Sequence, residues 1–463
     1  MRRLALLISI FVLAACILTA PKNGQKTNSN PSGQPTTAPT AALPSGNSTA
    51  TSNPLPATGS LVYVEGSTQK ICQLVGETDR EFNKPTLNQT ASRFGLVGND
   101  LGYSFESNGK LFFLFGDSMP TAVFNGQPNS GNDPPRNPDD NDAIAFTTDA
   151  NIEQCLKLNF ITDSIGAYKN PVVLNAQGDP AITLRSFEVP IAGISDGGKM
   201  YVLFATDHAA PGFATRTVVG ESDDDAKTFH YLYDFSKGAE AKFINVAIAV
   251  GNDGYLYFWG TQGGSLYRKS PPFLARKPIG SMGSSNGIAY LQSVNPDGTP
   301  VFAASESAAA PLFHDTVDNA GQSQISDCMG ELGVEWNSFL KRWIMLYNCL
   351  NDTPSNPRGI YMRYAAQPWG PWSEAQTIFN PVTDGGYCHF IHRAVSAQNP
   401  TACDNLSDPG RLDVFGGEYA PYFISRFTTG DRAGTTSTFY YTLSTWNPYT
   451  EVIMKSTVQA QRP

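Results

Sequence analysis

The sequence of 463 residues predicts an all-β fold and, within that class, a five-bladed β-propeller. Its 42 Gly and 33 Pro are too frequent for long helices, while 19 Tyr and 27 Phe supply side chains that strands favour. One phrase recurs five times after Leu61: a stretch of small and apolar residues, a turn with Gly or Asn, then a dense aromatic and β-branched run. With 41% hydrophobic and 16% charged residues, there is apolar material for a core that folds alone.

The chain begins with Met1, Arg2 and Arg3, followed by an apolar run from Leu4 to Ala15. That run is too short to span a bilayer and reads as a signal peptide. It ends Leu13-Ala14-Ala15-Cys16, which resembles the bacterial lipobox and predicts that residues 1–16 are a lipoprotein signal with Cys16 lipidated. The expected location is the cell envelope, outside the cytoplasm. Residues 17–60 are Ser, Thr, Pro, Asn, Gly and Ala with no carboxylate, which predicts a disordered tether. The body is then 61–463. Net charge is -9, and without Arg2, Arg3, Lys22 and Lys26 the remaining 28 basic residues face 41 acids, or about -13 for the body. This is the wrong sign for neutralising phosphates, so nucleic acid is excluded as a ligand.

The five phrases predict five hairpins. The first runs from Asp100 to Phe105, turns at Asn108-Gly109 and returns from Lys110 to Asp117. The second has Glu188 to Ile194, the turn Asp196-Gly197-Gly198, and Met200 to Asp207. The third has Ile244 to Val250, Asn252 to Gly254, and Tyr255 to Thr261. The fourth has Glu331 to Trp336, a turn near Asn337, and Arg342 to Asn348. The fifth has Glu418 to Ile424, a longer turn through Gly434, and Ser437 to Leu443. Each second strand is continuously apolar, as strands buried on both faces are. Further strand-like stretches, such as Ala143 to Thr147 and Gly359 to Tyr364, complete blades of four strands. Blade five is one strand short, and Leu61 to Glu65 is placed to fill it and close the ring. Ser222 to Phe229 resembles the Asp-box turn of propeller glycosidases, with Ala226 where that motif has Gly. A pair of β-sandwiches is the competing architecture, but it needs fewer long interludes between hairpins.

Six cysteines follow Cys16 without a C-x-x-C pair, which in an exported chain favours disulfides over a metal site. Cys328 with Cys349 and Cys388 with Cys403 are the expected neighbours, with Cys72 and Cys155 remaining. His389 and His392 fall in a polar loop and are not read as ligands, so no metal and no cofactor is expected.

In a propeller the first strand of each blade starts at the face where its second strand ends. Asp100, Glu188, Asn245, Glu331 and Glu418 therefore open inner strands on one rim, with Asp117, Asp207, Asn348 and Asn447 near second-strand ends. Carboxylates crowded at a channel mouth repel one another, which favours a working arrangement over a structural one. One protonated and one ionised carboxyl is the equipment for cleaving a glycosidic bond.

The runs Gly98 to Phe105 and Leu114 to Asp117, the segment Tyr267 to Arg276, Gly330 to Asn337 and Thr442 to Tyr449 resemble a bacterial and phage family long catalogued as a domain of unknown function. Some of its members are endo-D-arabinanases acting on mycobacterial arabinogalactan and lipoarabinomannan. The resemblance implies an endo-acting hydrolase of D-arabinofuranose polymers. It makes Asp100 and Asp117 the catalytic pair, with Glu331 and Glu188 in reserve, and implies sugar contacts from Tyr267, Arg268, Glu418, Tyr419, Trp446 and Asn447. The expected partners are a polysaccharide and, through the lipid alone, a membrane, with the chain a monomer. The alternative is a non-catalytic glycan-binding lipoprotein using the same cleft.

Overall fold

The computed structural model describes residues 59–461 except for 129–141, 183, 185–186, 210–212, 263–269, 319–324, 350–358 and 398. Cys16 and the tether up to residue 58 lie outside the described residues, as do Tyr267 and Arg268. Five sheets, antiparallel except where Val173–Leu174 runs parallel to Phe229–Lys237 in blade two, form the blades of a propeller, and each of the five hairpins expected from the sequence is present.

The inner strands are Leu96–Ser107, Pro190–Asp196, Asn245–Val250, Met329–Asn337 and Glu418–Phe423. Each lies beside the inner strand of the next blade, and the fifth returns to the first, so the ring is closed. The second strands are Lys110–Pro120, Lys199–Ala209, Tyr255–Thr261, Arg342–Cys349 and Thr436–Trp446. They are apolar without alternation because blades cover both of their faces: Leu111 to Phe115, Val202 to Ala205 and Ile344 to Tyr347 are at most 1% exposed.

Blade five takes its outer strands from the other end of the chain. Tyr449–Ala460 pairs with Leu61–Tyr63, Leu61 opposite Ala460, and also with Gln69–Gln73. This is the expected closure, and it covers an edge that would otherwise present unpaired backbone groups. Cys72–Cys155 fastens the closure to blade one across 83 residues. Cys328–Cys349 staples the hairpin of blade four, and Cys388–Cys403 ties the loop before blade five. Closing loops of such lengths contributes about 3 to 4.5 kcal/mol each in the chain-entropy picture, the 83-residue loop the most. The Asp-box turn is formed: Asp224 accepts N–H bonds from Lys227 and Thr228, both at 3.0 Å, and Ala226 takes φ 68 where the motif has Gly.

Candidate active site

The mouth of the ring is built around the irregular hairpin of blade one. Register shifts follow Leu96, Gly98 and Leu101, and Leu101 and Gly102 are consecutive residues at φ 72 and 67. Asp117, at φ 32, is likewise outside ordinary strand geometry. Such departures persist only where their surroundings hold them, and they cluster at functional sites.

Asp100 is 8% exposed, opposite Gly116 in the strand pair. A Cβ on Gly116 would come within 2.8 Å of Leu101 Cδ1 and Val189 Cγ1 and 2.9 Å of the Asp100 Oδ1, so a larger residue there would press the carboxyl out of place. Tyr419 donates its hydroxyl to Asp100 Oδ2 at 2.8 Å. Oδ1 has no hydrogen-bond partner among the described residues. Burial, reinforced by the Asp117 carboxylate and more weakly by Glu331, pushes the Asp100 carboxyl up to about 8, against the pull of the Tyr419 and Tyr449 hydroxyls. Asp100 therefore holds its proton at neutral pH.

Asp117 is half-buried, and its Oδ1 accepts the Phe187 N–H at 2.9 Å. The Tyr449 hydroxyl donates to its carbonyl oxygen at 3.1 Å. Asp142 is a further carboxyl of the mouth, 2% exposed, whose Oδ1 accepts the Asp117 N–H at 3.1 Å. Burial first, then Asp117, Asp100 and Glu188, hold it well above the usual carboxylate range. In the sequence Asp142 ends a polar run rich in Asn, Asp and Pro that begins at Thr121. Its position immediately before the third strand, Ala143–Thr147, beside the end of the second, was the available signal.

Glu331 and Glu188 come to the same mouth. Glu331 is half-buried and accepts Asn348 Nδ2 at 3.0 Å. Glu188 is buried, with the Thr206 hydroxyl 3.3 Å from Oε2. Glu418 is fully buried at the start of its strand. Tyr419 spends its hydroxyl on Asp100, so its contribution is to that carboxyl. Trp446 is 37% exposed, with its ring edge-on to Tyr449 and the Arg411 guanidinium 4.6 Å from its centroid. Asn447 has no exposed surface: Nδ2 donates to the carbonyls of Arg411 and Val414, and Oδ1 accepts the Asp408 N–H. Its amide thus organises the 408–414 loop.

Among the described residues, the one group of three potential ligand residues with atoms close enough for a metal is Cys388, Cys403 and Asp404, and its sulfurs are joined in a disulfide. A cavity of about 330 Å³ lies away from the mouth, beside the Cys72–Cys155 bridge.

A closed ring of five blades with a mouth of interacting carboxyls defines a β-propeller equipped for acid–base chemistry. A sequence profile described as domain of unknown function DUF4185 matches residues 86–455, and the chain belongs to this family. No curated protein matches the sequence. Among solved structures the chain is similar to the family 43 glycoside hydrolase YxiA from Bacillus licheniformis, at 12% identity and TM-score 0.40 over 78% of this chain and 71% of that one. It is similar to a GH43_1 enzyme from Xanthomonas citri at 12% identity and TM-score 0.39, over 79% and 88% of the two chains. The catalytic domain of a GH62 α-L-arabinofuranosidase from Coprinopsis cinerea gives 8% identity and TM-score 0.38, over 87% and 98%.

Proposed function

We propose that this protein is a glycoside hydrolase of the cell envelope that cuts within polysaccharides containing D-arabinofuranose, of the arabinogalactan or lipoarabinomannan type. The observation that carries this reading is the pairing at one mouth of a proton-holding carboxyl, Asp100, with a second, half-buried one, Asp117, whose Oδ1 accepts the Phe187 N–H. Asp100 gives its proton to the leaving oxygen while Asp117 supplies the negative charge at the anomeric carbon. Glu331, Asp142 and the Tyr419 and Tyr449 hydroxyls set the protonation of the pair. The substrate class rests on the family resemblance, and the envelope location on the lipobox ending at Cys16.

Purified protein incubated with mycobacterial arabinogalactan is expected to release arabino-oligosaccharides, with Asp100→Asn and Asp117→Asn each lowering the rate by about 10³-fold. Absence of products, or release by either variant at the wild-type rate, refutes the reading. The anomeric configuration of the first product, followed by NMR, reports whether Asp117 attacks the sugar or activates a water. Cys16→Ala is expected to move the protein from the membrane fraction to the soluble fraction.

A further inference from the structure

Beneath Asp100, on the third strand of blade five, lies a carboxyl that the reaction above does not use. Glu451 has no exposed surface, and no ion pair to it exists among the described residues. Its hydrogen-bond partner is Ser444, directly opposite in the strand pair, whose hydroxyl lies 3.2 and 2.9 Å from its two oxygens. Ser444 Oγ also accepts the N–H of Leu101, the residue after Asp100, at 2.8 Å. From the same strand the Thr442 hydroxyl reaches the Gly102 carbonyl at 3.2 Å. Glu451 packs against the backbone of this step: a Cβ on Gly102 would lie 2.9 Å from Oε1 and 3.2 Å from Cδ. The left-handed pair Leu101–Gly102 is thus gripped from blade five by Ser444 and Thr442, with Glu451 filling the space behind.

We propose that Glu451 is a positioning residue for Asp100, acting through the Ser444 hydroxyl on the Leu101–Gly102 step; this rests on the hydrolase reading for its catalytic consequence. It acts as the neutral acid. A carboxylate with a single hydroxyl donor and no cation is too costly to bury, and once Asp100 ionises at higher pH its charge opposes that ionisation further. The titratable groups that face it are Asp100 on blade one and Tyr419 on the inner strand of blade five. A neutral group in this place fixes geometry without adding charge, leaving burial, then Asp117 and Glu331, to hold the proton on Asp100.

The test compares Glu451→Gln, a neutral isostere, with Ser444→Ala, which breaks the link. Glu451→Gln is expected to keep kcat within about threefold and to leave the alkaline limb of the pH–rate profile in place. Ser444→Ala is expected to lower kcat by about 10- to 100-fold with KM nearly unchanged, the size of loss when an orienting partner of a reacting group is removed. A kcat loss in Glu451→Gln as large as that of Ser444→Ala, or an unchanged kcat in Ser444→Ala, overturns the proposal. Two readouts need no turnover. Infrared spectra of protein with labelled glutamate should contain a protonated carboxylic acid band at pH 7 that Glu451→Gln removes. Titration of labelled aspartate by NMR should show the Asp100 midpoint displaced in Ser444→Ala. If the wild-type protein cleaves no glycan but both signatures appear, the hydrolase reading falls and the positioning role stands. If Glu451→Gln does not fold, the infrared band of the wild type and the Ser444→Ala titration decide, and an ionised Glu451 or an unmoved Asp100 overturns it.

Discussion

Blades one and three begin with the same hairpin and use it differently. In blade three the pairing runs without a break from Asn245 opposite Thr261 to Val250 opposite Leu256. In blade one the inner pair slips three times and places Leu101, Gly102 and Asp117 at positive φ. Blade three spends its hydrogen bonds on the ladder, whereas blade one gives up several of them and takes replacements from blade five, through Ser444 and Thr442. A regular hairpin suffices to hold the ring. The irregular one turns carboxyls towards one mouth, and it survives only because a neighbouring blade supports it.

The largest effect that separates the two regions is catalytic. Asp100→Asn should reduce turnover by about 10³-fold while raising the unfolding midpoint at pH 7, because the folded wild type keeps a proton there that the unfolded chain, with its ordinary value of 3.8, has released. Rate and thermal unfolding measured on one preparation check both halves. A large loss of stability would mean that the residue is ionised in the fold.

Next in size is the backbone. Gly102→Ala places a Cβ against Glu451 at φ 67, and should cost about 2 to 4 kcal/mol in denaturant unfolding. Gly254→Ala, in the turn of blade three at φ 88 with nothing within 4 Å, should cost only about 1 kcal/mol. Equal costs would show that blade five does not grip the step in blade one.

The pH profile gives a smaller but more specific contrast. Activity that requires protonated Asp100 should fall as pH rises through about 8, and Glu331→Gln, by removing a negative charge from the mouth, should move that limb to lower pH by less than one unit. An alkaline shift would contradict the assignment.

The smallest effect lies near the turn end of blade four. Burial raises the Glu335 carboxyl to about 7, against the hydroxyl bonds of Thr428 and Ser425. The folded state therefore retains a proton that the unfolded chain has released. Its contribution is favourable below the unfolded value near 4.5, is lost as pH rises towards 7, and changes little beyond. Glu335→Gln should raise the unfolding midpoint relative to wild type at pH 8 and leave it unchanged at pH 4, as measured by thermal scans at the two pH values.

The turns Asn108-Gly109, Asp196-Gly197-Gly198 and Asn252 to Gly254, with the apolar runs after them, made the hairpins legible, because turn chemistry and strand burial are written locally. The missing fourth strand of blade five pointed to Leu61, and close spacing pointed to two of the disulfides. The carboxyls at inner-strand starts were legible for the same reason, since strand direction assigns them to one end. Asp142 was hidden by the polar loop before it. Asn447 sat at the right end of its strand, but nothing local revealed that the 408–414 backbone occupies its amide. Tyr449 and Glu451 are more than 330 residues from Asp117 and Asp100 along the chain, and only closure of the ring makes them neighbours.

By itself, then, the order of residues determined which segments become strands, where they turn and which acids stand at one end, because these follow from side-chain periodicity and backbone preference within a few residues. Which carboxyl keeps its proton, and what holds that carboxyl in place, was decided by tertiary structure. Burial and charge act through space, and the groups that exert them on Asp100 arrive from blades one, four and five.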